Sequence, residues 1–389
     1  MAEKIGKMTN MKHYNPFIKT ALLFAVLICC IKSNAQTYNN WLLDDGNILN
    51  LNTNPPSIDK IDFDNHDGNF SLSDNDGNLL LYGGKLRPPN NNSNLSNYVI
   101  KNNKNQTLVS FPSVYIRNTI SCKSVTDNAS YYVAIIYNES KTLRYAMRLY
   151  RFDNNGVLQD SLISKDVSHS HIAWFMPQDN GDVILFCYIN TNKTIESYKL
   201  SKDIIKKTHT YNIKLPVRTD FAAGCTHIIQ LKNGNKIIVS SHGHFLIMNY
   251  DINTENISLS KEINGFNDGD AIALSANDKY LIAAKGDRNK LIRYKLSNDF
   301  DFDNGEIIYE FKGTYVNDIQ LGEDGKLYVL QNNNTIKFID GIETDNITVG
   351  KIDGIIESNS QRYFPKIPRI IETKSAPCPE IEKPKIICE

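Results

Sequence analysis

Tight-turn signals recur along this chain at nearly even intervals. They fall at residues 77, 128, 181, 234, 278 and 325, so the successive spacings are 51, 53, 53, 44 and 47 residues. Short runs rich in Val, Ile, Tyr and Phe flank each turn, a composition that suits strands, while Asn, Asp and Gly supply the turn conformations. The unit is clearest from Ala271 to Leu296: an apolar strand, a turn at Asn277-Asp278, a strand over Lys279–Ala284, a polar loop, and a strand over Lys290–Leu296. Each interval has room for about four such strands, and four-stranded sheets with a period of roughly 40–50 residues are the signature of propeller blades. A twisted four-stranded sheet cannot bury both faces alone. Stacking such sheets radially covers the faces and leaves only short edges.

The expected fold is therefore all-β, a β-propeller of four-stranded blades. Residues 37–371, at roughly 48 residues per blade, accommodate seven. The seventh blade is expected to be shared between the first strands, Trp41–Leu51, and the last, Ile347–Ile352, which would pin the two ends together. The Asn-, Ser- and Pro-rich stretch 85–106 reads as a long surface loop. The stretch from Glu372 to Glu389 carries three prolines and no strand period, and reads as a linker-like tail.

The first 36 residues read as a cleaved signal peptide. Lys12 and Lys19 precede the apolar run Ala21–Ile31, which is too short to span a bilayer comfortably, and Ser33-Asn34-Ala35 places the cut before Gln36. Met11 opens a shorter leader, and Cys29-Cys30 raises lipidation as an alternative. No transmembrane span is expected. Export places the chain in the periplasm, at the cell surface or outside the cell. After cleavage Cys122, Cys187, Cys225, Cys378 and Cys388 remain, an odd and widely spaced set that is no disulfide framework. Cys187 in VILFCYI reads as a small buried hydrophobe. Pairing of Cys378 with Cys388 is left open. The 43 basic and 43 acidic side chains cancel, which argues against nucleic-acid binding.

Several segments resemble exported WD40-like or YVTN-like β-propeller proteins of gliding Gram-negative bacteria, which often carry a type IX secretion sorting domain. Trp41, Leu49–Asn52 and Asn54-Pro55-Pro56 are similar to that family's opening W-x-F-G…L-x-F-N-x-x-P-P pattern, with Leu42-Leu43 in place of Phe-Gly. Ser71–Tyr82 resembles SISDSNGNLLFYTDG. Leu274–Leu296 resembles FSPDGKYLYVS…LYQYDLS, with Asn277-Asp278-Lys279 in place of Asp-Gly-Lys. Ile319–Leu330 is similar to LQLGPDGKIYVA, and Tyr363–Ile371 stands where the family has a GLPNFI-like segment. The resemblance implies the propeller fold and an exported location, and no transferable catalytic residues. With no sorting domain after the tail, the chain is expected to be a truncated relative or one whose later modules are lost.

Candidate chemistry is sparse. His169-Ser170-His171 and His242-Gly243-His244 are i, i+2 pairs that would present two imidazoles to one metal from a strand. They are weighed against loop-lining histidines. Asp299, Asp301 and Asp303, with Glu310, follow calcium-loop spacing, but Asn304 occupies the glycine position and strands flank the loop. No Gly-x-Ser-x-Gly and no phosphate cradle is present. No resident cofactor is expected, with calcium or zinc as the alternative.

The leading expectation is a non-enzymatic propeller presenting a binding face to a surface protein, a peptide or a glycan. Lys85–Gln106 and the segment around Asp203–Thr219 are the candidate loops. The alternative is a propeller hydrolase or lactonase with a metal at the central channel. A second alternative is a structural spacer.

Overall fold

The computed structural model describes residues 38–368 except 44–45, 62, 64–67, 75, 87–96, 112–114, 125–129, 139–144, 154, 168–172, 179, 190–191, 202–203, 214–226, 242–243, 264–270, 286–287, 297–299, 301, 303–304, 334, 353–363 and 366. The signal-peptide and tail assignments, Cys225, Cys378 and Cys388 lie outside the described residues. Every regular element among the described residues is a strand.

Strands β1 (Asn40–Leu42), β2 (Asn47–Asn50) and β3 (Ser57–Lys60) form a three-stranded sheet. Next comes a four-stranded sheet of β4 (Phe70–Ser73), β5 (Leu79–Lys85), β6 (Tyr98–Asn102) and β7 (Thr107–Phe111). An eight-stranded sheet contains β8 (Tyr115–Lys123), β9 (Tyr131–Asn138), β10 (Tyr145–Asp153), β11 (Gly156–Val167), β12 (Ala173–Pro177), β13 (Val183–Ile189), β14 (Thr194–Leu200) and β15 (Ile205–Tyr211). Three more four-stranded sheets follow. The first holds β16 (His227–Gln230), β17 (Lys236–Ser241), β18 (His244–Asp251) and β19 (Asn256–Ile263). The second holds β20 (Ile272–Leu274), β21 (Tyr280–Lys285), β22 (Lys290–Lys295) and β23 (Glu306–Glu310). The third holds β24 (Val316–Leu321), β25 (Leu327–Gln331), β26 (Ile336–Asp340) and β27 (Thr348–Ile352).

The four-stranded sheets are antiparallel meanders. The first strands of successive groups lie side by side, β1 with β4, β4 with β8, β8 with β12, and β20 with both β16 and β24. Apolar clusters fill the spaces between facing sheets. One packs Ile237, Val239, Leu246 and Met248 against Trp174, Ile184 and Phe186. Another packs Ile282, Ala284 and Leu291 against Ile319, Leu327 and Val329. The core is thus a series of slabs between sheets rather than one central mass.

The blade count departs from the expectation of seven. Five sheets of four strands or more are present among the described residues. The count is five rather than six because β11 and β13 share one pair, Val167 with Ile189, which joins two strand groups into one eight-stranded sheet. Its two halves close on each other around Cys122, Ala134, Met147, Phe175 and Leu185. The shared terminal blade is also corrected. Thr348–Ile352 is the outer strand of its own complete sheet, while β1–β3 form a separate one. The ends meet by packing instead: Trp41, Leu49 and Leu51 share a core with Tyr328, Leu330, Ile352 and Phe364.

Two expected loops contain strands. Tyr98–Asn102 pairs with both neighbours because Tyr98 and Ile100 point into a core. Ile205–Tyr211 is an outer strand whose polar residues are half-exposed. The polarity of the stretch before Tyr98 hid the first, and the polarity of Ile205–Tyr211 itself hid the second. Cys187 is a fully buried free thiol, as expected, and burial holds its pKa above the ordinary thiol range.

Candidate functional site at the rim of the first strands

The recurring turns share one hydrogen-bond pattern. The amides of Gly77, Gly181, Gly234, Asp278 and Gly325 donate to the carbonyls of Asp74, Gln178, Leu231, Ser275 and Gly322, three residues earlier. All five residues have positive φ, from +55° at Asp278 to +92° at Gly181. This is the three-residue hairpin with a left-handed closing residue that favours glycine. These turns follow the first strand of each group, so they carry side chains to one end of the stack.

At that end Tyr38, Asp74, Lys123 and Glu323 come together. Tyr38 enters just before β1, Asp74 follows β4, Lys123 ends β8, and Glu323 stands in the turn after β24. The amide of Tyr38 donates to Glu323 Oε1 at 2.9 Å, and its hydroxyl donates to the carbonyl of Ser121 at 3.4 Å. Tyr38 is 2% exposed and reaches from the β24–β25 turn to β8. Its carbonyl accepts the indole Nε1–H of Trp41 at 2.7 Å. Burial first, then the negative charge of its surroundings, hold its phenol well above the ordinary range.

Lys123 is only 3% exposed. Burial lowers its pKa, while Asp74 and Glu323 oppose that shift as nearby negative charges. Burial pushes Glu323 up to about 7, against the Tyr38 amide and the Lys123 charge, which favour the anion. Protein surrounds much of Glu323, although the residue as a whole is exposed. Solvent screening at this exposed residue reduces, without removing, the stability that the raised value costs when the group ionises. Asp74 is committed to its own turn, accepting the amides of Asp76 and Asn78 at 2.9 and 2.8 Å and the side-chain amide of Asn78 at 3.0 Å.

Side chains from the first strands fix this cluster in place. Ser71 Oγ accepts the Leu42 amide at 2.9 Å and donates to the Asn40 carbonyl at 2.5 Å, so β1 runs antiparallel to β4 with its edge satisfied. Asn40 Nδ2 donates to Ser73 Oγ at 3.1 Å and to the Gly77 carbonyl at 2.5 Å. On β24 the carboxylate of Asp318, 1% exposed, accepts the amides of Ile319 at 2.9 Å and Phe364 at 2.8 Å.

Of these residues the sequence singles out only Asp74, in Asp74-x-Asp76-Gly77, as a weak calcium-loop pattern better explained as a turn, which is the role it has; Tyr38, Lys123 and Glu323 are not marked as site residues. One signal was available: Glu323 stands where the resembling LQLGPDGKIYVA pattern has proline. Of the metal candidates, His169, His171, His242, Asp299, Asp301 and Asp303 lie outside the described residues, and only the backbone of His244, opening β18, is described. Among the described residues no group of three His, Cys, Asp or Glu side chains is placed to hold a metal.

No family model and no curated protein matches the sequence. Solved structures do. A Bacteroides uniformis protein provisionally described as a 6-phosphogluconolactonase superposes with a TM-score of 0.55 at 12% identity, over 85% of this chain and 99% of that one. The chain is a β-propeller. The periplasmic gluconolactonase of Pseudomonas aeruginosa gives a TM-score of 0.54 at 13% identity, over 85% of this chain and 99% of that one. A Bacteroides fragilis protein, also provisionally a 6-phosphogluconolactonase, gives 0.51 at 11% identity, over 86% and 98% of the two chains. At these identities the likeness concerns the propeller fold. No helix among the described residues of this propeller is long and apolar enough to cross a membrane.

Proposed function

We propose that this propeller is a lactone- or ester-hydrolysing enzyme whose chemistry sits at the rim formed by Tyr38, Lys123 and Glu323. The geometry that carries the reading is an exposed glutamate, Glu323, whose Oε1 accepts the Tyr38 amide at 2.9 Å; the surrounding protein pushes it up to about 7, and the charge of the buried Lys123 acts on it. A base of that pKa is about half ionised at neutral pH and matches the requirement for general-base catalysis. Glu323 Oε2 takes a proton from water as the water oxygen bonds to the lactone carbonyl carbon. The Lys123 ammonium offsets charge on the carbonyl oxygen. As the tetrahedral centre collapses, the ring C–O bond breaks and the proton passes from Glu323 to the departing alkoxide. Water is thus divided between the new acid and the new hydroxyl. The Tyr38 amide occupies Oε1 and so leaves Oε2 as the working oxygen.

Similarity of fold to proteins whose names include gluconolactonases supports the lactone class over the purely binding role expected from the sequence. The test is a pH-stat assay of glucono-δ-lactone opening, corrected for spontaneous hydrolysis. Wild-type protein is expected to accelerate opening, and Glu323→Gln to lower kcat about 100-fold. No acceleration, or an unaltered Glu323→Gln rate, would sink the reading. A metal-assisted route through His169, His171, His242 and His244 is the variant that chelation separates, since the Glu323 route withstands chelator.

A second reading, a binding face for a surface protein, draws on Val157, Leu158 and Leu162, which stand 40–49% exposed along β11. We further infer export. The apolar run Ala21–Ile31 and the periplasmic relative in fold support it, and the type IX association rests on the sequence resemblance alone.

A further inference from the structure

We propose that the seam between the first and last sheets is a binding groove for an extended Phe-Pro-x-Ile-Pro peptide, and that residues 364–368 of this chain are a tethered, exchangeable occupant of it. Such a groove binds its peptide whether or not the rim hydrolyses lactones.

The sequence of the segment favours an extended conformation. Phe364 and Ile367 each stand immediately before a proline. A following proline disfavours the helical region and leaves β or polyproline geometry. Pro365 and Pro368 have no amide to give to a ladder. Phe364, Pro365, Ile367 and Pro368 belong to no strand or helix. A polyproline helix has three residues per turn, so Phe364 and Ile367 fall on one side of it. Their contacts agree. Phe364 is 3% exposed and lies in the cluster of Trp41, Leu49, Tyr328 and Ile352, while Ile367 packs on that cluster and on the one around Phe70.

Both sheets build the groove. Trp41 and Leu49 come from β1 and β2, and Tyr328, Leu330 and Ile352 come from β25 and β27. Among the described residues no strand pairs across this seam. Trp41 meets the Phe364 ring edge-on at 5.1 Å between centroids. Asp318, 1% exposed on β24, accepts the Phe364 amide at 2.8 Å. The occupant is thus held by two apolar anchors and one main-chain donor, the mode in which aromatic-lined grooves take proline-rich peptides. Its prolines reduce the conformational freedom lost on docking. A segment held in this way, outside every ladder, can leave and be replaced without breaking a sheet.

A protease recognition sequence inserted between Ser360 and Gln361 of the full-length chain allows the segment to be cut loose after folding. After the cut, the C-terminal piece should stay with the propeller on size exclusion at micromolar protein. The free peptide Tyr363–Ile371 should then displace it while circular dichroism stays unchanged. The same peptide carrying Phe364→Ala should displace it about 100-fold less well. Immediate loss of the piece, unfolding in place of exchange, or equal displacement by the two peptides would overturn the proposal. Full-length Phe364→Ala gives a second measurement on an uncut chain. A flexible tether supplies a millimolar effective concentration, so a segment weakened about 100-fold yields to free peptide at roughly 0.1 mM. Wild-type peptide above that level should raise the urea midpoint of Phe364→Ala and leave that of the wild-type protein in place. A variant midpoint that does not rise would equally overturn the proposal.

Discussion

Glu323 is an exposed residue whose pKa the neighbouring protein raises to about 7, against the Tyr38 amide and the Lys123 charge. The sign of its pH effects follows directly. A carboxyl whose folded pKa lies above its unfolded value binds more protons when folded, so its ionisation disfavours the fold as pH rises from about 4.5 to about 7. Glu323→Gln should flatten the change in denaturation midpoint across that window. The same variant should remove the limb of the kcat/KM profile that rises through about pH 7. Asp278 shows another residue-level competition. It adopts φ +55° where the other turns place glycine, and its Oδ2 accepts the Lys232 amide at 2.6 Å. A left-handed Asp costs about 1 kcal/mol, whereas a hydrogen bond to a charged acceptor contributes about 1.5–3 kcal/mol. The hydrogen bond wins, so Asp278→Gly should destabilise by about 1 kcal/mol and Asp278→Ala by about 2–3 kcal/mol in urea titrations.

At the level of the element, the three-residue strand β1 makes a short ladder with β2 and none with β4. Its other edge is satisfied by one side chain, Ser71, which accepts the Leu42 amide and donates to the Asn40 carbonyl. Removing that hydroxyl strands two buried backbone groups, each costing about 1–3 kcal/mol if no water replaces the contact. Ser71→Ala should therefore lower stability by about 2 kcal/mol, with faster amide exchange at Leu42 as the local sign. Ser71→Thr, which keeps the hydroxyl, is expected to retain most of the protection. Between later sheets, comparable staples come from turn and loop residues. Glu343 accepts the Asn277 amide at 2.7 Å and its side-chain amide at 2.6 Å. Arg293 donates to the carbonyls of Ile342 and Thr344 at 3.0 and 2.6 Å while stacked on Tyr280.

For the molecule as a whole, the decisive contact is where its two ends meet. Trp41 packs edge-on against Tyr328 and Phe364, each 5.1 Å away between ring centroids. Phe364 is in turn held by its amide on the buried Asp318. Ile367 touches both the cluster around Trp41 and the one around Phe70, so the C-terminal segment is packed on each side of β1. Phe364→Ala removes a buried ring at this junction and should cost about 3–4 kcal/mol. Because the first and last sheets face each other there, the loss should show as early hydrogen exchange in β1–β3 ahead of β12–β19. Exchange that rises uniformly over all sheets would argue that closure is not located at this contact.

Periodicity determined most of the architecture. Alternating apolar runs and five recurring turn geometries were legible because strand period and left-handed turn residues are local properties of the chain. Cys187 was legible for the same reason, lying in an unbroken apolar run. Sheet count was not, since a single Val167–Ile189 pair decides whether two strand groups are separate or joined. Strand β15 was hidden because a polar edge strand shares its composition with loops, and β6 because its short apolar run Tyr98–Ile100 stands at the end of an Asn-, Ser- and Pro-rich stretch. The rim site was out of reach of sequence reasoning for a stronger reason. Tyr38, Asp74, Lys123 and Glu323 are spread over most of the chain, and each alone reads as an ordinary turn or strand residue. The sequence set the repeating unit; ring closure, which brings residue 38 to residue 323, set the charge, burial and hydrogen bonding from which a site is made.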